Sequence, residues 1–160
     1  MGEWHDFFVA QAGASAALAG LIFVAISISL DELVKYRHLL TRAAVALCLL
    51  VSVLVMSSLL LAPNQSPRTA GFEILGVSAV TWLMTTLLSA GAIRSAPAPY
   101  RRFSQIALAL VQIATVPLLI AGIVVIAEGT VGLTWLVAGF VASFIVALAD
   151  GWVLLVEIHR

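Results

Sequence analysis

The chain has 160 residues, of which 62% are hydrophobic and only 10% charged, with a formal net charge of zero and a mean hydropathy of +1.14. A soluble domain carries about a quarter of its residues as charged groups, and a surface this poor in charge would present large apolar patches to water. The composition therefore excludes an ordinary soluble domain, and the eight Lys and Arg residues, scattered among short breaks without a basic helix or an aromatic platform, exclude a nucleic-acid-binding surface.

The N-terminal segment Met1–Asp6 carries Glu3 and Asp6 but no Lys or Arg. A cleaved signal peptide needs a basic start and a shorter apolar run, so the first apolar segment is expected to be retained. It covers about residues 7–30 (FFVAQAGASAALAGLIFVAISISL) and closes at DELVKYRH. The second covers about 39–62 and stops at PNQSPR, whose prolines and Asn64 break a helix. The third covers about 71–93 and is followed by RSAPAPYRR, where Pro97 and Pro99 favour an extended connector. The fourth covers about 104–127 and ends at Glu128-Gly129; the fifth covers about 131–158 after a very tight turn.

Each run is near the roughly 20 residues that span a bilayer. Backbone groups in hydrocarbon must be satisfied within their own segment, which makes each run a helix, and the alternating strands of a barrel are missing. The sequence thus predicts an all-α integral membrane protein, a bundle of about five transmembrane helices in a single transmembrane domain over residues 1–160.

Orientation follows from charge. With five spans, Lys35, Arg37, Arg42, Arg94, Arg101, Arg102 and Arg160 fall on one side and Arg68 alone on the other. Basic residues collect in cytoplasmic loops, so the N-terminus is expected outside and the C-terminus in the cytoplasm. Trp4, Phe7 and Trp135 then fall at the outer interface and Tyr36, Tyr100 and Trp152 near the inner one, with Trp82 a mid-helix exception. No internal repeat supports a secondary-transporter core. Cys48, the single cysteine, lies in an apolar run and reads as a small packing or lipid-facing residue.

Several residues are candidates for function. In lipid, helices associate through close packing of small residues. The first helix offers Ala12, Ala16 and Gly20 at four-residue spacing, with Gly13 and Ala17 beside them, and the fifth offers Gly139, Ser143, Ala147 and Gly151. Either stripe serves as a seam within one subunit or between copies. Asp150 lies about 20° from Gly139 on the helical wheel. An ionisable group at that depth must face protein or water, so Asp150 is read either as a proton or cation site or as an anchor paired with Arg94, Arg101 or Arg102.

On the third helix Ser78, Thr81, Thr85 and Ser89 form a polar stripe, which either lines a hydrated path or bonds to its own backbone and a neighbouring helix. Gln11 is the corresponding polar candidate on the first helix. Glu73 and Glu128 sit near the outer ends of helices three and four, where Glu128 is expected in a solvated loop and Glu73 to reach the interface by snorkelling. Gln105 and Gln112 share a face of the fourth helix, and Pro117 frees the carbonyl of Ile113, a kink that would act as a hinge or merely as an ordinary membrane proline. At the outer mouth Glu3, His5 and Asp6 gather. They would form an acidic ring in an oligomer, or a metal site of two carboxylates and a histidine on a short tail, or Asp6 simply caps the positive end of the first helix.

Enzyme signatures are missing: no His-Glu-x-x-His, no Gly-x-Ser-x-Gly and no phosphate-cradling glycine loop. His5, His38 and His159 all lie at or beyond membrane ends, leaving no nucleophile–base pair within the spans. No cofactor and no metal is expected.

The stretch Trp4–Leu30, with its WHDFF start and QAGASAALAGLIFVAISISL helix, resembles the beginning of a family of small bacterial polytopic membrane proteins with an N-terminal Trp-x-Asp-Phe-Phe and a small-residue-rich first helix. Some members are described as modulators of a membrane-bound AAA protease, and the resemblance implies a similar role here. The sequence therefore leaves two functions open. One is a small homo-oligomeric channel or pore for ions or protons, lined by first- or third-helix polar faces and tuned by Asp150 or by Glu3 and Asp6. The other is a non-enzymatic partner or regulator of a larger membrane complex such as a protease. Both place the chain in a plasma (inner) membrane as a multi-pass protein, with the lipid bilayer, further copies of itself and a membrane protein as the expected partners.

Overall fold

In a computed structural model of the chain, residues 4–28, 37–95 and 98–157 are described. They form helices α1 (His5–Ile28), α2 (Arg37–Leu60), α3 (Pro67–Ser95), α4 (Ala98–Glu128) and α5 (Leu133–Glu157), with a 3-10 turn at Gly129–Gly132, and no strand occurs among them. Four stretches are long and apolar enough to cross a membrane. They are His5–Ile28, Leu39–Leu60, Pro67–Arg94 and Arg101–Leu154, the last taking in α4, the turn and α5.

The helix starts and stops have local causes. After Leu60 the chain tightens through bonds from Leu61 N–H to the Ser57 carbonyl and Ala62 N–H to the Leu59 carbonyl, and Asn64 takes a left-handed φ of 60°. Ser66 then caps α3: its hydroxyl accepts from the Thr69 N–H at 3.2 Å, with Pro67 in the first helical position where no donor is missed. The helix therefore begins four residues before the expected Gly71, because the proline that reads as a stop for one helix is the start of the next. In the same way α4 begins at Ala98 with Pro99 in its first turn, where proline is tolerated. The expected extended connector through Pro99 is thus helical, and Pro97 lies outside the described residues. Gly129, at φ 74°, ends α4 in the left-handed conformation that glycine adopts without strain. A side chain at Gly132 would meet the Val125 backbone nitrogen at 2.5 Å, so the link to α5 folds flat against α4.

Helices α2, α3, α4 and α5 form a ring in which each borders the next, α3 and α4 in the most extensive contact, while α1 lies outside against α2 and touches α5 only slightly. The ring is filled by Val53, Met56, Leu60, Ile74, Leu118, Val125, Leu136 and Phe140, all buried. The third and fourth helices approach closely at two glycines. A Cβ on Gly122 would lie 2.9 Å from the Leu75 Cα, and one on Gly71 3.0 Å from the Ile126 nitrogen. Such near-contact of backbones is what holds helices together where no hydrophobic force acts between them.

The outer helix α1 buries little of its apolar length against the rest of the chain, whereas more than half of the apolar stretch of α2 is enclosed. Its inward line is Phe8, Ser15 and Ile22, one residue every two turns. Phe8 enters the main core, and Ile22 packs among Ala46, Leu50 and Ala147. Next to Phe8, the Phe7 ring stacks on Phe140 with centroids 6.1 Å apart and Trp4 meets Phe7 edge-on at 5.7 Å.

Candidate functional site

One ion pair lies inside the apolar stretches among the described residues. Asp150, seven residues before the end of α5, is 7% exposed, and Arg42, five residues into α2, reaches its Oδ1 through Nε at 3.3 Å. The guanidinium also lies over the Phe103 ring of α4, 4.6 Å from its centroid. A single arginine thus ties three helices at one end of the bundle, through an ion pair and a cation–π contact. Removing two charges from water is costly, and mutual attraction offsets that cost only with good geometry. Here one guanidinium nitrogen, Nη1, remains buried without a partner.

The partner differs from the three arginines expected from sequence. Arg94, Arg101 and Arg102 are exposed at the same basic end, whereas Arg42 lies on the face of α2 that meets α5. Charge alone groups Arg42 with the loops. Its position inside the apolar run that begins at Leu39 is the signal that it enters the bundle.

The hydroxyl stripe of α3 faces inward. Ser78, Thr81, Thr85 and Ser89 are all buried. Thr81 donates to the Val77 carbonyl at 2.8 Å and Thr85 to the Thr81 carbonyl at 2.7 Å, while Ser78 Oγ has no partner. Nearby on α3, the Trp82 indole N–H donates to Gln112 Oε1 at 2.6 Å, and Gln112 Nε2 donates to Thr86 Oγ1 at 2.9 Å. This α3–α4 bridge accounts for the mid-helix tryptophan. Its sequence signal is Gln112 itself, since Gln105 on the same helix is exposed.

Pro117 lies within an unbroken α4, with Thr115 donating to the Val111 carbonyl at 2.8 Å nearby. Glu73 is half-buried and accepts a bond from the Gln65 side chain. Glu128, expected in a loop, is the exposed last residue of α4. At the opposite end of the chain His5 and Asp6 are exposed, with Asp6 in the first turn of α1 where a carboxylate favours the helix dipole. Glu3 lies outside the described residues, as do Lys35, Tyr36, His159 and Arg160. Among the described residues no group of three or more His, Cys, Asp or Glu could hold a metal ion.

The two small-residue stripes part company. On α5, Gly139 meets the Leu118 side chain, Ser143 and Ala147 are buried, and Gly151 faces Ile22 of α1 at 3.8 Å from where a Cβ would stand. On α1, Ala12 and Gln11 are half-buried, but Ala16, Ala17, Gly13 and Gly20 face away from the chain's own helices. A Cβ on either of these glycines would have nothing within 4 Å. Between α2 and α3 a lateral groove of about 420 Å³ opens, lined by Cys48, Val51, Ser52 and Val55 on one side and by Gly76, Val77, Val80, Thr81 and Met84 on the other.

No protein-family model, no curated protein and no solved structure matches this chain.

Proposed function

We propose that the chain is a non-enzymatic, membrane-embedded interaction protein that docks onto a larger membrane complex through the outward face of α1. The observation that carries this reading is the unequal use of α1. It is anchored on one line by Phe8 and Ile22, yet it turns Gly13, Ala16, Ala17 and Gly20 away from the bundle, the surface on which another helix can pack closely. Three of the polar groups have structural partners, Asp150 being neutralised by Arg42 and Thr81 and Thr85 bonding their own backbone, while the Ser78 hydroxyl has none. In this reading α1 to α5 make five crossings of a plasma (inner) membrane, with the basic end cytoplasmic and the N-terminus outside. The resemblance of Trp4–Leu30 to the family with protease modulators points to a membrane protease complex as the partner.

A second reading, a homo-oligomeric channel or pore for ions or protons, is favoured by exposed Asp6 and half-buried Gln11 at one end of the same helix. Copies joined along α1 would gather these groups around a path between subunits, since each ring's own axis is filled with side chains.

Photocrosslinking in native membranes separates the readings. A photoreactive residue at Gly20 is expected to give an adduct with a different protein, lost when Ala16→Leu is added, while one at Val141, on α5 and also exposed, gives none. Adducts only with further copies, together with ion flux in liposomes, would replace the docking reading by the pore. Lipid adducts alone at both positions would remove both.

A further inference from the structure

The α2–α3 groove is confined to nine residues of α3, Gly76–Met84, centred close to the middle of the helix at Thr81. Its lining offers no free hydroxyl donor. Ser52 donates to the Leu49 carbonyl at 2.7 Å and Thr81 to the Val77 carbonyl. Gly76 leaves its floor open, with nothing within 4 Å of where a Cβ would stand. An apolar recess at that depth in a membrane is filled by hydrocarbon or by a helix, and a recess of nine residues is short for a crossing helix.

Charge and register add the other half. Arg94 lies 18 residues, or five turns, beyond Gly76 and so at the same angle on α3. The line between them is apolar and exposed: Leu87 at 61%, Leu83 and Met84, then Val80 at 64%. From Arg94 to Thr81 the helix rises about 20 Å, the half-thickness of the hydrocarbon core, about 15 Å, plus the reach to a headgroup. At the same end Arg101 and Arg102 are exposed at the start of α4, and the one acid with a described side chain there, Asp150, is held by Arg42.

We propose that this face binds one anionic phospholipid, its phosphate on Arg94 and the end of an acyl chain in the inner half of the α2–α3 groove. Basic residues at the cytoplasmic end of a membrane helix favour anionic headgroups, and the aligned apolar track makes that preference specific to a site. The site is separate from the outward face of α1; it rests on the membrane orientation of the proposed function, basic end cytoplasmic, and not on docking through α1.

The test is native mass spectrometry of the chain released from nanodiscs holding equal phosphatidylglycerol and phosphatidylcholine with identical chains. The wild type is expected to retain one phosphatidylglycerol per chain. Arg94→Gln is expected to lower the retained glycerol-to-choline ratio about fivefold, the weight of one arginine near a headgroup. Val80→Trp, which fills the groove from an exposed position, should lower total retained lipid without changing that ratio; Met84→Phe serves if Val80→Trp does not fold. An unchanged ratio in Arg94→Gln overturns the headgroup assignment, and unchanged retention in the groove variants overturns the chain assignment. A wild type that retains no phosphatidylglycerol overturns the proposal, and a crosslink through Val80 to a second copy would then assign the groove to a helix.

Discussion

The first and fifth helices carry the same sequence device and use it in opposite directions. Both repeat small residues at four-residue spacing, Ala12–Ala16–Gly20 and Gly139–Ser143–Ala147–Gly151. On α5 the stripe is consumed inside the chain, against Leu118 of α4 at one end and Ile22 of α1 at the other. On α1 its Ala16 and Gly20 face outward, Ala12 being half-buried, because the inward line is taken by the larger Phe8 and Ile22. Small residues therefore mark where a helix can approach, and the bulky residues on the opposite face decide whether the approach is made within the chain. Asp150 belongs to the consumed stripe, which is why its charge needs a partner inside the bundle.

The largest effect should come from breaking that partnership. Arg42→Leu leaves Asp150 buried with no counter-charge, a change that costs about 3–5 kcal/mol in buried pairs. In reversible unfolding from mixed micelles, Arg42→Leu should unfold far earlier than wild type, and Asp150→Leu added to it should restore much of the loss. If the double variant is no better than the single one, the pair is not what couples α2 to α5.

Next come the two seams compared directly. A methyl on Gly122 meets the Leu75 backbone at 2.8 Å, so Gly122→Ala forces α3 and α4 apart and should cost about 1–3 kcal/mol. Gly20→Ala on α1 meets open space and should stay within about 0.5 kcal/mol of wild type. Equal destabilisation by both would mean that the face of α1 is occupied within the chain's own assembly.

The helical, membrane-spanning character is legible in the sequence, because apolar length and the need to satisfy backbone groups leave few alternatives. Asp150 and Gln112 are visible there too, as polar groups that hydrocarbon will not accept alone. Their partners are not. The counting of basic residues that predicts orientation also groups Arg42 with loop charges, and Gly71 and Gly122 carry no four-residue repeat to flag them. Pairing across helices depends on rotation and register, and those are fixed by packing rather than by any one segment. The boundaries at Pro67 and Pro99 differ from expectation for a local reason: a proline stops the helix before it and starts the helix after it equally well.

The smallest effect tests whether polar bonding between spans adds much to close packing. Gln112 bridges Trp82 and Thr86 across the α3–α4 seam, the same seam that Gly71 and Gly122 close. Hydrogen bonds between membrane helices average about 0.6 kcal/mol and reach about 1.7, since the unfolded chain in lipid also finds partners. Gln112→Leu should therefore cost less than Gly122→Ala in the same unfolding assay, and Trp82→Phe added to it should cost little more, the indole having already lost its acceptor. If Gln112→Leu proved the more damaging, the seam would be held by its polar bridge, and the glycines would only permit an approach that hydrogen bonding drives.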